Sequence, residues 1–150
     1  MNMGMHTDKI IEIIENNVFD NVICRALELR STELAKYICG LANSIGGYIL
    51  IGVEKRNGCM ETVGCSKTFD MNGIMGAAKS KISQEVSIEY GFVSIMGTNI
   101  FAIEVASCEK NSFVDGKRYE CGNNEVKEKT VSPKDEPVTL LISYTGCETC

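Results

Sequence analysis

A single α+β domain is the fold class that the patterning of this chain predicts, and three observations carry it. Residues 31–54, STELAKYICGLANSIGGYILIGVE, read as a helix, a double glycine and a buried strand. A second helical period follows Asp70, and from residue 88 onward the chain alternates as strands do, with tight-turn residues between the runs. Helices and hairpins thus fall in separate stretches. That order suits a mixed β-sheet of about five or six strands with two to three packed helices.

The composition agrees. A chain of 150 residues, 44% hydrophobic and 23% charged, has the size and mixture of one domain with a real core. No segment approaches the ~18 to 20 apolar residues a membrane helix needs, and the start, MNMGMHTDKII, lacks a basic region followed by an apolar run. The expectation is a soluble, cytoplasmic protein with no membrane partner. Eight cysteines without an export signal read as reduced thiols, several of them in the core. The net charge of −5 argues against a strongly basic nucleic-acid binder. The acidity lies at the ends, because residues 21–130 hold thirteen acids and thirteen bases, which leaves room there for a local basic patch.

In chain order, residues 1–20 form a leader and a packing helix from Thr7 or Asp8, with Ile10, Ile11 and Ile14 on one face and Asn16-Asn17 closing it. Residues 22–30 alternate near their end as a half-buried strand, which would project Glu28 and Arg30 together. In the helix that Ser31 or Thr32 can cap, Leu34, Tyr37, Ile38, Leu41, Ala42 and Ile45 make one face, and Gly46-Gly47 ends it. Residues 48–53 are apolar on both parities, as in a strand covered on both sides. Asn57-Gly58 then turns the chain into a partner strand over 60–63, paired with 48–54.

Asp70 can cap a second helix in which Ile74, Ala78, Ile82 and Val86 recur every fourth residue. Two strands, 88–96 and 99–106, flank Gly97-Thr98, and two shorter ones flank Asp115-Gly116. The main domain is expected over 21–124. Residues 125–150 are expected to be a polar link, with a loop over 122–137, an edge strand over 138–144 and a loose end.

The string Asn43-Ser44-Ile45-Gly46-Gly47-Tyr48-Ile49-Leu50-Ile51-Gly52-Val53-Glu54, preceded by Glu28-Leu29-Arg30 and followed by Gly64, resembles the Schlafen AlbA domain. That family's pattern is approximately E-F-K, a helix, A-N-x-x-G-G-x-L-x-I-G-V-[DE]-D and then x-G. The match is close over 28–64 and looser to about 124. The resemblance implies a nucleic-acid-binding module for DNA or RNA. The alternatives it raises are a Mg²⁺- or Mn²⁺-dependent endoribonuclease, and a protein-interaction domain that has lost nucleic-acid binding. Because many relatives carry additional domains, a homodimer or a protein partner is also among the expectations.

For binding, the residues are Arg30 in the family's lysine position, Asn43, Gly46, Gly47, Lys55, Arg56, Lys117 and Arg118. Arginine can meet phosphate with two parallel hydrogen bonds. Under the nuclease alternative, Glu28 and Glu54 are the catalytic and metal-holding pair, since hard cations take carboxylate oxygens. The RNA-cleaving Schlafens use three acids. By position the first falls on Ile23, the second on Glu28 and the third on Glu54 or Lys55, and Glu120 stands where the family often has an arginine. No cofactor is expected otherwise.

Other chemistries find less in the chain. Gly46-Gly47 is explained by the helix-to-strand turn, and no G-x(4)-G-K-[ST] is present, so the ATP-binding label that the family carries has little physical support. Asn43 is read first as fastening that turn. Only Cys147 and Cys150 have zinc-like spacing, and His6 is the single histidine, which leaves nucleophilic catalysis without a base.

Overall fold

The computed structural model describes residues 7–27, 29–66, 70–108, 113–114, 116–121 and 124–129. Its centre is a four-stranded mixed sheet in the order β1-β2-β6-β5. β1 (Val22–Arg25) lies parallel to β2 (Gly47–Ile51), which pairs antiparallel with β6 (Thr98–Val105), and β6 pairs with β5 (Ile88–Ile95). Alternate residues enter two separate cores. Ile23, Ile49, Ile51, Phe101, Ile103 and Val105 face α2 (Ser31–Ala42) and α3 (Met71–Lys79). Val22, Cys24, Tyr48, Leu50, Ile100 and Ala102 face α1 (Thr7–Glu15) and the hairpin of β3 (Val53–Arg56) with β4 (Cys59–Thr62). Covering on both sides is why residues 48–51 are apolar on both parities.

A three-stranded sheet of β7 (Phe113–Val114), β8 (Lys117–Cys121) and β9 (Val126–Lys129) packs on the outer side of α2. The helix is therefore sandwiched, and the approach is close. A Cβ on Gly40 would stand 2.8 Å from the methyls of Val126.

The α+β class and the single domain stand as the sequence predicts, with the strands divided among three sheets. Several elements differ from expectation. β1 stops at Arg25, so residues 26, 27, 29 and 30 are not strand and Leu27 is 78% exposed. The physical reason is length, since β1 spans four residues of its parallel neighbour and no more. Glu28 lies outside the described residues, and Arg30 is the extended residue that precedes α2. Neither Ser31 nor Thr32 caps that helix. Arg30 holds the position, with no side-chain cap bond.

α2 ends at Ala42, three residues early, and Ile45 is 80% exposed. The Gly46 N–H bonds back to the Leu41 carbonyl at 2.9 Å, and the left-handed Gly46 (φ 83°) releases the chain into β2. The run over 48–54 is broken by Gly52 (φ 99°), so the hairpin uses 53–56 and 59–62 instead. Its turn has positive φ at both Asn57 and Gly58, as the mirror-image two-residue turn requires.

In α1 the buried residues are Ile10 and Ile13, with Ile11 and Ile14 only partly covered. Asp70 does cap α3, accepting from the Gly73 N–H at 3.1 Å. That helix ends at Lys79, so Ile82 and Val86 pack from the segment beyond it. The turn between β5 and β6 is Met96-Gly97, one residue earlier than expected. The expected loop over 122–137 contains β9, and the expected edge strand over 138–144 lies outside the described residues. No helix among the described residues is long and apolar enough to cross a membrane.

Candidate nucleic-acid interface

Near the C-terminal end of β1 lie several cations that form no salt bridge among the described residues. Arg25, the last residue of β1, donates through Nη1 to the Cys24 carbonyl (2.7 Å) and to the backbone and side-chain oxygens of Asn124 (3.2 and 3.1 Å). Its guanidinium lies 5.1 Å from the centre of the Tyr37 ring on α2. Asn124 is itself left-handed (φ 58°), and its Oδ1 accepts the Cys24 N–H at 2.8 Å. One side chain thus closes the free edge of β1 and aims an arginine.

Two more cation–ring pairs adjoin this one. The Asn124 N–H bonds to the Phe19 carbonyl, and Lys55 Nζ sits 4.6 Å from the Phe19 ring. Lys36, next to Tyr37, has its Nζ 5.6 Å from the Tyr119 ring on β8. Arg30 stands exposed at the start of α2. The first intrahelical bond there comes from Leu34, so the amides before it have no acceptor within the helix. Among the described residues, none of Arg25, Arg30, Lys36 and Lys55 forms a salt bridge.

The other cations expected from the sequence are tied to acids. Arg56 bridges Glu54 (2.7 Å) and Glu61 (2.9 Å) across the hairpin. Lys117 lies 3.9 Å from Glu128, and Arg118, largely buried, lies 2.7 Å from Glu120. Glu120, in the family's arginine position, thus neutralises its neighbour.

Asn43 ties two elements together across the fold. Its Nδ2 donates to the Tyr119 carbonyl at 2.9 Å and so clamps the end of α2 to β8. Gly46 and Gly47 are glycines for packing reasons. A Cβ on Gly46 would meet the Val105 carbonyl at 2.6 Å, and on Gly47 the Asn21 carbonyl at 1.9 Å. Both line a cleft of about 580 Å³ whose ionisable wall among the described residues is Glu12, Asp20, Glu104, Lys9 and Tyr48. Burial, and then the neighbouring Glu104 carboxylate, push the Tyr48 phenol up to about 12. Such a field repels phosphate.

The metal-binding arrangement does not assemble from the described residues. Ile23, in the position of the family's first acid, is fully buried in the sheet. Glu54 is held by Arg56, and Glu28 lies outside the described residues. No three His, Cys, Asp or Glu residues among those described gather as ligands. Among the described cysteines, burial raises the pKa of Cys24, Cys39 and Cys121.

Sequence reasoning missed Arg25, Lys36 and Asn124. Arg25 was assigned to the middle of a longer strand, and Asn124 to a loop. The available signal is the asparagine pair Asn123-Asn124, since asparagine is enriched in left-handed backbone.

A search of curated proteins finds no match. Two solved structures share the fold. The DIP2311 protein from Corynebacterium diphtheriae superposes with a TM-score of 0.58 at 15% identity, over 73% of this chain and 22% of that one, so the chain spans about a fifth of its length. The N-terminal domain of a RecG-related protein from Nitrosomonas europaea superposes with a TM-score of 0.51 at 13% identity, over 91% of this chain and 95% of that one. In sequence, the family model described as Schlafen, AlbA_2 matches residues 12–134, and the chain belongs to that family.

Proposed function

We propose that this domain binds nucleic acid through its sugar-phosphate backbone, along the edge made by the end of β1, the start of α2 and Lys55. The observation that carries the reading is the set of three adjoining cation–ring pairs, Arg25 on Tyr37, Lys36 on Tyr119 and Lys55 on Phe19. A cation already held over an aromatic ring loses less side-chain freedom when it meets a phosphate. The ring faces are covered by these cations, which favours phosphate contact over base stacking. Arg30 and the amides of the first turn, which have no acceptor within the helix, add donors at the N-terminus of α2.

Part of the chain's net charge of −5 is placed away from this edge, although Glu33 stands in the first turn of α2. Glu12, Asp20 and Glu104 line the cleft behind Gly47. The test is fluorescence anisotropy with labelled duplex DNA and structured RNA at low and high salt, in Mn²⁺ or EDTA, with cleavage scored in the same tubes. Binding that weakens with salt and needs no metal is the expected result. Cleavage that requires Mn²⁺ would replace this reading with the endoribonuclease one. Failure to bind at low salt would leave a protein-interaction domain.

A further inference from the structure

We propose that the cleft at the amino-terminal ends of β1 and β2 binds a protein partner, through a segment that presents an arginine or lysine between apolar side chains. The cleft lies at the end of β1 opposite Arg25, and its walls come from α1, the starts of β1 and β2 and the end of β6. Its volume of about 580 Å³ is that of a built ligand site. Ile13, Val22 and Val105 make a buried apolar floor. At the rim Val18 and Ile45 are 37% and 80% exposed, so the apolar surface continues past the cleft. A ligand that covers all of it is longer than a small amine.

Beside that floor the charge is of one sign. Tyr48, Glu104 and Glu89 stand in a row across β2, β6 and β5, Tyr48 opposite Glu104 and Glu104 opposite Glu89, on the face that also carries Leu50, Ala102 and Val93. The Tyr48 hydroxyl donates to the Glu104 carboxylate, and the charge of Glu89 reaches the same phenol. Two carboxylates directly opposite on neighbouring strands repel each other. Asp20 adds a third acid to the wall. Neither Asp20 nor Glu89 forms a salt bridge with a described residue. Lys9 also lines the cleft, but its Nζ lies 3.9 Å from Glu12 on its own helix.

Charge complementarity therefore selects the occupant. A cation supplied from outside relieves the repulsion between Glu89 and Glu104, while its aliphatic stem covers part of the apolar floor. Apolar neighbours of that cation in the same segment then meet Val18 and Ile45. Nucleic acid is excluded from this cleft by the carboxylates that attract the basic segment, so the two ends of β1 serve partners of opposite charge.

NMR titration of the isotope-labelled chain with a capped peptide of core Leu-Arg-Leu tests this. The amides of Gly47, Tyr48, Val105 and Ala106 should shift, and their dependence on peptide concentration gives Kd. Citrulline in place of the arginine keeps the shape and removes the charge, and serine in place of both leucines removes the apolar contact. Each change should weaken binding at least tenfold. In the protein, Ile45→Ser on the exposed rim and Glu104→Gln, whose amide oxygen still accepts from Tyr48, should do the same, with unshifted α2 amides reporting an intact fold. No shift at the cleft amides, or equal affinity for the citrulline peptide, would overturn the proposal. Butylguanidinium that binds as tightly as the peptide would assign the cleft to a small organic cation and overturn it equally.

Discussion

Removing one cation from the β1 edge should change the salt dependence of binding by a definite amount. Each phosphate neutralised on a duplex contributes about −0.9 to the slope of log K against log salt. With Arg25, Arg30, Lys36 and Lys55 engaged, the slope should be about −3.6, and between 50 and 200 mM salt the affinity should fall about 150-fold. Arg25→Ala, Lys36→Ala or Lys55→Ala should each leave a slope of about −2.7 and a fall of about 40-fold. Lys117→Ala is the control, because Lys117 is already beside Glu128. That variant should leave the slope unchanged. Anisotropy titrations at five salt concentrations, with urea unfolding to verify each variant's fold, give the slopes directly. A native slope shallower than about −1, or equal losses for Lys117→Ala and Lys36→Ala, would refute the assignment of this edge.

Other outcomes follow from the same geometry. Asn124→Ala keeps every charge but removes the Oδ1 that accepts from the Cys24 N–H and from one Arg25 N–H, while the bonds of Arg25 to the two backbone carbonyls remain. It should cost about 1–3 kcal/mol of stability and weaken binding without altering the salt slope, as seen in urea midpoints and anisotropy. Gly47→Ala places a Cβ against the Asn21 carbonyl, which is backbone and cannot swing away. Its expected cost is about 3 kcal/mol or more, read as a lowered denaturation midpoint or loss of soluble protein. Tyr48 is held neutral in the fold, with its pKa raised from 10.0 to about 12. Its contribution, at most about 2.7 kcal/mol, is therefore complete below pH 10 and lost between roughly pH 10 and 12. Tyr48→Phe should remove that alkaline step from the stability profile.

Local signals decided much of this molecule before any tertiary contact. The glycine pair, the Asn57-Gly58 turn, the Asp70 cap and the alternation of β5 and β6 all depend on neighbours in the chain, and each was legible. So was the family, because an ordered string of glycines and apolar residues needs no third dimension to recognise. What the chain alone left undecided were the ends of elements and the partners of charges. β1 stops where its parallel neighbour stops, and β9 exists because β8 offers it an edge. Gly46 and Gly47 serve carbonyls some sixty and twenty-five residues away in the chain. Arg56, Lys117 and Arg118 look like free cations in the sequence and are paired with acids on their own or a neighbouring strand, whereas Arg25 and Lys36 look unremarkable and lie beside Asn124, about a hundred residues away, and Tyr119, about eighty residues away. Electrostatic availability is set by what packs within a few ångströms, and that distance is determined only when the sheets and helices close on one another.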